Sequence, residues 1–182
     1  MTDVEAFAEF AHDLRGAMGS LRLVMSSLVD EDDAEQRRVF LTMAEDEVQR
    51  VAVTATALPA LGAAASDQST PVAVDLSAAL ADAAAGALRY GVRATVQSGE
   101  PTQVLSRPDV LALVLPAVFQ LAAGTSGATV VVTETINHSV AITCRTGALW
   151  PQARHLFARL VLAANGTAAD SDELRFLLPE AP

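Results

Sequence analysis

Phe10-Ala11-His12-Asp13-Leu14-Arg15 is the stretch on which the reading of this chain turns. It holds a histidine with an acid directly after it. Around it runs an apolar repeat of Val4, Phe7, Ala11, Leu14, Met18, Leu21, Met25 and Leu28, in alternating steps of three and four residues. That spacing is a heptad seam, the pattern of a helix packed along partner helices. His12 falls one residue past the seam position Ala11, so it is expected beside the buried stripe, on a rigid rod and open to solvent. A second protein can reach an imidazole placed that way. A lone histidine on a helix is ordinarily a solvated surface residue, so the argument has to be carried by the rest of the chain.

Thr2 or Asp3 can cap a first helix running to about Leu28. Asp30-Glu31-Asp32-Asp33 is a polar break rich in cap-forming residues. A second helix is expected from about Ala34 to Leu61, with Phe40, Ala44, Val48, Val51, Ala55 and Leu58 at helical spacing. Two helices of similar length with a short connection pack as an antiparallel hairpin. One hairpin cannot bury two such long stripes, so self-association into a homodimeric four-helix bundle is expected. The small, polar stretch from Gly62 to Pro71 reads as a linker. The chain therefore divides into a hairpin over residues 1–62 and a second unit over 71–182.

In that second unit Val72–Asp75 is a short strand candidate and Leu76–Tyr90 a helix, with Asp75 or Ser77 near its start. Arg93–Gln97 is a strand candidate. Arg107-Pro108-Asp109 opens a helix to about Ala123, with proline in the first turn where its missing N–H costs little. Gly124 to Gly127 is a loop. Ala128–Thr135 and Ser139–Arg145 are β-rich and joined by Ile136-Asn137-His138, which makes them a hairpin. A last helix is expected over Pro151–Ala164, ended by Asn165-Gly166 in left-handed cap chemistry. Glu173–Leu178 is a final strand. The whole is an α+β chain, a helical hairpin followed by an α/β sandwich with helices on one face of a mixed sheet.

Composition excludes several classes. A net charge of −10 with pI near 4.6 argues against nucleic acid and against anionic membrane surfaces. A single cysteine, Cys144, rules out an internal disulfide and a cysteine-rich metal site, and it reads as a small buried hydrophobe. The longest apolar run, Val110–Phe119, is too short to span a bilayer. The acidic start of the chain does not resemble a signal peptide. A cytoplasmic protein is the expectation.

The order of elements and the quoted motifs resemble the transmitter core of bacterial histidine kinases over nearly the whole chain. Phe10-Ala11-His12-Asp13-Leu14-Arg15 is similar to the phosphoacceptor box, and Val74-Asp75-Leu76 to the entry into the kinase ATP domain. Arg107-Pro108-Asp109-Val110-Leu111 and the helix after it resemble the helix that carries the asparagine box. Leu160–Gly166 with Phe176-Leu177-Leu178-Pro179 resembles the terminal helix and strand.

The departures are informative. Where the family has asparagines for magnesium and phosphate, this chain has Ala117 and Leu121, which offer no oxygen to a hard cation. Where the family has the adenine-reading aspartate, this chain has Arg145, which cannot accept that hydrogen bond. The glycine-rich lid is missing, since Trp150-Pro151 follows Gly147 almost at once. Four residues after His12 stands Gly16, where kinases that are also phosphatases carry Thr or Asn, and the usual proline is Ala17.

A phosphoacceptor histidine beside a degenerate ATPase-like domain resembles the dimeric histidine phosphotransferases of the ChpT kind. That resemblance implies a phosphorelay carrier that passes a phosphoryl group between response-regulator receiver domains, with an upstream hybrid histidine kinase as a further partner. It implies no cofactor on this chain, the magnesium being supplied by the receiver, and no ATP-dependent autokinase activity. Imidazole is nucleophilic near neutral pH, one ring nitrogen attacking while the other holds a proton. Asp13 is placed to accept a hydrogen bond from that second nitrogen or to offset its charge. Gly16, Gly19 and Ser20 follow one and two turns on and would let a receiver helix approach; Arg15, Arg22 and Leu23 complete the expected partner-binding set. Arg15 and Arg22 can meet acidic rims on a receiver, or they are ordinary surface charges. His138 and His155 read as structural. The alternative function is a non-catalytic pseudokinase adaptor that docks a kinase or response regulator.

Overall fold

A computed structural model describes residues 3–66, 69–97, 102–146, 153–169, 171 and 173–182. The chain forms two compact units, Met1–Leu58 and Pro59–Pro182.

The first unit holds α1 (Asp3–Val29) and most of α2 (Ala34–Ser66). The break between them works by capping. Asp33 Oδ1 accepts from the amides of Glu35 (2.8 Å) and Gln36 (2.9 Å), two of the donors that a helix start leaves without an intrahelical partner. Glu31 Oε1 in turn accepts from the Asp33 amide. So short a connection turns α2 back antiparallel to α1. The seam differs from its sequence pattern. The residues buried along α1 are Phe10, Ala17 and Val24, each one place before a seam residue. Ala11, Leu14, Leu21 and Leu28 are half-buried, while Met18 is 57% and Met25 47% exposed. The Val4 and Phe7 side chains lie outside the described residues. A real helix advances about 100° per residue, so a three-four alternation fills a broad band, and one antiparallel neighbour covers only its edge.

Helix α2 continues through Ser66, five residues into the stretch that reads as linker. Gly62 and the alanines after it terminate nothing by themselves, and the end of the helix is held. The Arg107 guanidinium donates to Ala64 O (3.3 Å) near the end of α2 and to Ala163 O (2.7 Å) at the end of α5, Ala153–Ala163. A cation between two helix C-termini meets carbonyls that lack partners and the negative ends of both dipoles. Asp67 and Gln68 lie outside the described residues.

In the second unit, β1 (Val72–Asp75) leads into α3 (Leu76–Leu88), and Asp75 caps it by accepting from the Ala78 amide at 3.1 Å. β2 is Arg93–Gln97 and α4 is Pro108–Ala123, with Pro108 in its first turn. β4 (Ala128–Ile136) and β5 (Ser139–Cys144) form the expected hairpin; Asn137 and His138 adopt the positive φ that a tight turn matching strand twist requires. β7 is Leu174–Pro179. Two strands escaped the sequence reading, β3 (Gln103–Ser106) and β6 (Thr167–Ala168). Strand β3 pairs antiparallel with β1 in a two-stranded sheet, and the main sheet has the order β2-β4-β5-β7-β6, mixed because β2 and β4 are parallel.

Helices α3, α4 and α5 pack side by side on the main sheet. The core between them holds Leu80, Leu111, Leu115, Phe119, Ile142, Leu160 and Phe176, all fully enclosed. Phe157 of α5 meets Phe176 of β7 edge-to-face at 5.9 Å. Asn165 ends α5 with φ 67°, and its side-chain amide donates to Leu105 O. Gly166 follows because space forbids a side chain: a Cβ there would stand 2.9 Å from Leu177 O. The buried Ser106 hydroxyl donates to Ala164 O at 2.7 Å, fastening β3 to the same end of α5.

Candidate functional site

Every residue of the expected site lies on α1. His12 is exposed and Asp13 half-buried; Arg15, Gly16, Gly19, Ser20 and Arg22 are exposed, and Leu23 is 69% exposed. A backbone hydrogen-bonded as helix on either side holds the imidazole outward. Among the described residues no hydrogen bond joins His12 to Asp13. The two are successive on a helix, about 100° apart around it, which points them to different sides. The orienting role expected of Asp13 is therefore absent from this conformation, and Asp13 belongs to the edge of the buried line.

Helical rotation sorts the face into lines. Measured from the buried line of Phe10, Ala17 and Val24, His12, Gly16, Gly19 and Leu23 cluster about 100–160° round in one sense. They stand at i, i+4, i+7 and i+11, one continuous line along two and more turns. A Cβ built on Gly16 or Gly19 would meet nothing within 4 Å, so neither glycine is there to let this chain pack closely on itself. In the opposite sense, about 80–120° round, lie Met18, Met25 and Val29, all exposed. Arg15 and Arg22 border the His12 line on that side.

Helix α2 is divided the same way. Ala44 is its buried position in this stretch, with Phe40, Glu47 and Val51 half-buried near it. Leu41 and Val48 are exposed on one side, and Val39 and Met43 on the other. Antiparallel helices turned in the same sense from their common line reach the same flank. The hairpin thus carries two apolar flanks. One is made of Met18, Met25, Leu41 and Val48. The other is made of Leu23, Val39 and Met43 and adjoins the His12 line. The sequence reading passed over Val39 and Met43; the available signal was two large apolar residues four apart, off the α2 stripe.

The region that would read a nucleotide is built differently from its pattern in the family. Ala117 and Leu121 are completely buried, and α4 is enclosed all round from Ala117 to Ala123. Neither offers a polar atom. Arg145 is exposed just after β5; its amide donates to Val130 O (2.9 Å) and its carbonyl accepts from Thr129 Oγ1 (2.8 Å), so its backbone only completes the β4–β5 edge. The expected lid position, Gly147 to Pro151, lies outside the described residues.

The other reactive side chains are placed elsewhere. Cys144 is buried in β5, where desolvation, with the nearby Glu173 carboxylate, pushes its thiol up to about 12. It is no nucleophile near neutral pH. His138 is exposed in the β4–β5 turn and His155 is exposed on α5. Among the described residues no group of three His, Cys, Asp or Glu is arranged to hold a metal ion, and no helix is long and apolar enough to cross a membrane.

No family model matches the chain, and no curated relative was found. Solved structures do resemble it. The histidine kinase ThkA, in complex with the response regulator protein TrrA, aligns with a TM-score of 0.53 at 13% identity, over 98% of this chain and 62% of that one. Full-length ShkA in complex with AMPPNP aligns at 0.48 and 18% identity, over all of this chain and 46% of that one. The ATP-binding domain of PrrB from Mycobacterium tuberculosis aligns at 0.48 and 18% identity, over 63% of this chain and the whole of that domain. The chain spans about half to two thirds of the kinase chains it matches. Its fold is that of a histidine kinase transmitter core, a helical hairpin followed by an ATPase-like α/β unit.

Proposed function

We propose that this protein is a cytoplasmic histidine phosphotransferase of a bacterial two-component phosphorelay, carrying a phosphoryl group between receiver domains on His12. The observation that supports this most is the His12 line itself: an exposed imidazole on a rigid helix, followed by two glycines with open space in front of them. A kinase-type fold makes that position meaningful, and the buried Ala117 and Leu121 leave the second unit without the groups that would charge the histidine from ATP.

The step is a displacement at phosphorus. A ring nitrogen of neutral His12 attacks the phosphorus of an aspartyl phosphate on the receiver. The N–P bond forms as the P–O bond to the aspartate breaks, and the carboxylate leaves with the bonding pair. The second ring nitrogen keeps its proton, so the intermediate carries an imidazolium whose charge Arg15 and Arg22 do not relieve; Asp13 is the near acid, acting through the field rather than through a bond. Transfer to the second receiver reverses each event. Any magnesium comes with the receiver.

Two copies pair through the flank of Met18, Met25, Leu41 and Val48, closing a four-helix bundle. Leaving that many large apolar groups in water on one flank is otherwise unfavourable, at about 25 cal/mol per Å² of apolar surface. The decisive experiment charges the protein from a phosphorylated receiver and assays acid-labile phosphate. His12→Gln keeps size and polarity and should accept none while its helix content is unchanged. Labelling that persists in His12→Gln removes the carrier role and leaves the pseudokinase adaptor. Calorimetry with Mg-ATP is expected to give no heat of binding; a micromolar dissociation constant would contradict the loss of the nucleotide site.

A further inference from the structure

The phosphotransfer reading leaves one of the two apolar flanks without an occupant. We propose that the flank of Leu23, Val39 and Met43 stays open when two copies pair and is the seat of the receiver, so that α2 as well as α1 selects the partner. This rests on the function proposed above.

Three observations assign the occupant. The first is continuity. Leu23 lies on the His12 line, within about 20° of the imidazole around the helix, whereas Met18 and Met25 lie about 120° from it. Counting back from the Asp30–Asp33 turn, Leu23 stands level with Val39 and Phe40, and Ser20 with Met43, so the α2 side chains border the same trough at the same height. A protein seated against them has its surface beneath His12; one seated on the opposite flank does not.

The second is relief. On the α1 side the trough is floored by Gly16, Gly19 and Ser20, with nothing within 4 Å of a Cβ at either glycine. Val39 and Met43 rise from α2, each 46% exposed. A small-floored, apolar-walled trough accepts an amphipathic helix whose apolar ridge includes at least one bulky residue. The third is charge. In a chain of net charge −10, Arg15 and Arg22 are exposed cations along the His12 line. A partner that presents a helix beside an acidic, phosphate-accepting centre complements both the apolar wall and the cations. A second copy of this chain, acidic overall but with no such acidic centre described, matches only the apolar part.

The test uses the full chain with Val39→Glu and Met43→Glu combined, and separately Met43→Gln as a milder change. The probe is a panel of purified receiver domains, free and charged with acetyl phosphate, and the readouts are light scattering, labelling of His12 by phosphoramidate, and receiver binding by interferometry. The expected outcome is a dimer like the parent, unchanged labelling by the small phosphodonor, and receiver binding weakened at least tenfold, with Met43→Gln between. If the double variant becomes a monomer, this flank is the contact between copies and the proposal is wrong. If it stays a dimer and binds receiver as the parent does, the seat lies elsewhere and the proposal is equally wrong. If the parent binds a receiver through these residues yet His12 takes no phosphate from it, the docking surface stands and the phosphotransfer reading falls. If no receiver binds the parent, both fall.

Discussion

In the hairpin, Met18, Met25, Leu41 and Val48 stand in solvent; in the α/β unit, Leu111, Leu115, Phe119, Ile142 and Phe176 are wholly enclosed. Both regions carry long apolar patterns, and the patterns alone do not distinguish them. The difference is in what surrounds each element. Helices α3 to α5 each find a sheet and a neighbouring helix within the same chain, while α1 and α2 find chiefly each other. An apolar stripe wider than one neighbour can cover is a stripe meant for something outside the chain. In α4 the same logic runs the other way. The side of the helix that the family uses for ligand has become core, and Ala117 and Leu121 sit where polar oxygens would be.

This contrast can be broken by mutation, and the largest effect is expected in the second unit. Phe176→Ala removes a fully buried ring that Phe157 packs against, and should cost about 3–5 kcal/mol of stability. Urea unfolding would read it; a loss below about 1 kcal/mol would mean that this core is not the tight one described. Next comes Met25→Glu with Leu41→Glu in the hairpin. In an isolated monomer, exposed sites of this kind tolerate the change within about 0.5 kcal/mol. In the proposed dimer the charges enter a desolvated face, and sedimentation should show self-association weakened about a hundredfold, or about 2.8 kcal/mol. No shift in association state would leave these residues as ordinary surface and dissolve the comparison.

Gly166→Ala should cost about 1–3 kcal/mol, because the new methyl meets a backbone carbonyl that cannot swing aside. Thermal unfolding tests it. Cys144 provides a pH-dependent check on the same core. Its thiol is neutral in both states below pH 9.0. Above that the unfolded chain ionises first, because the folded thiol is held up to about 12. Stability should therefore fall as pH climbs from 9 toward 12, and a Cys144→Ser or Cys144→Ala chain should lose that part of the dependence. Iodoacetamide at pH 8 should leave the folded thiol intact.

The smallest effect sharpens the comparison from the hairpin side. Gly16→Ala and Gly19→Ala each put a methyl into open space in a helix interior, and should stabilise the free protein by about 0.5–1 kcal/mol. The same methyls should slow transfer with a receiver if the partner occupies that space. A destabilised free protein would mean that the glycines serve internal packing after all.

Most of this architecture was legible in the sequence because its signals are local. Asp33, Asp75 and Pro108 mark helix starts, Asn137-His138 marks a tight turn and Asn165 marks a helix end; each acts through its own backbone chemistry within a few residues. What escaped was set at a distance. β3 and β6 are strands of four and two residues whose existence depends on β1 and β7 lying alongside. The extension of α2 through Ser66 ends against an arginine more than forty residues away in sequence. The buried line of α1 was displaced by one residue from the heptad reading, because only tertiary contact tells which edge of a broad apolar band is covered. For the site, the sequence gives residue types on one helix, but Val39 and Met43 enter only once α2 is folded back beside it.

The bare side of α1 at Gly16 has a kinetic consequence for a phosphorylated form. One turn beyond the histidine there is no hydroxyl or amide to align a water against phosphorus, so this chain contributes nothing to its own discharge. Phosphate on His12 would be lost by uncatalysed hydrolysis, and otherwise only by collision with an acceptor. The protein would then behave as a passive store in equilibrium with its partners. Its level of charge would report the ratio of phosphorylated to free receivers, and the direction of flow would follow their concentrations rather than any switch within this chain.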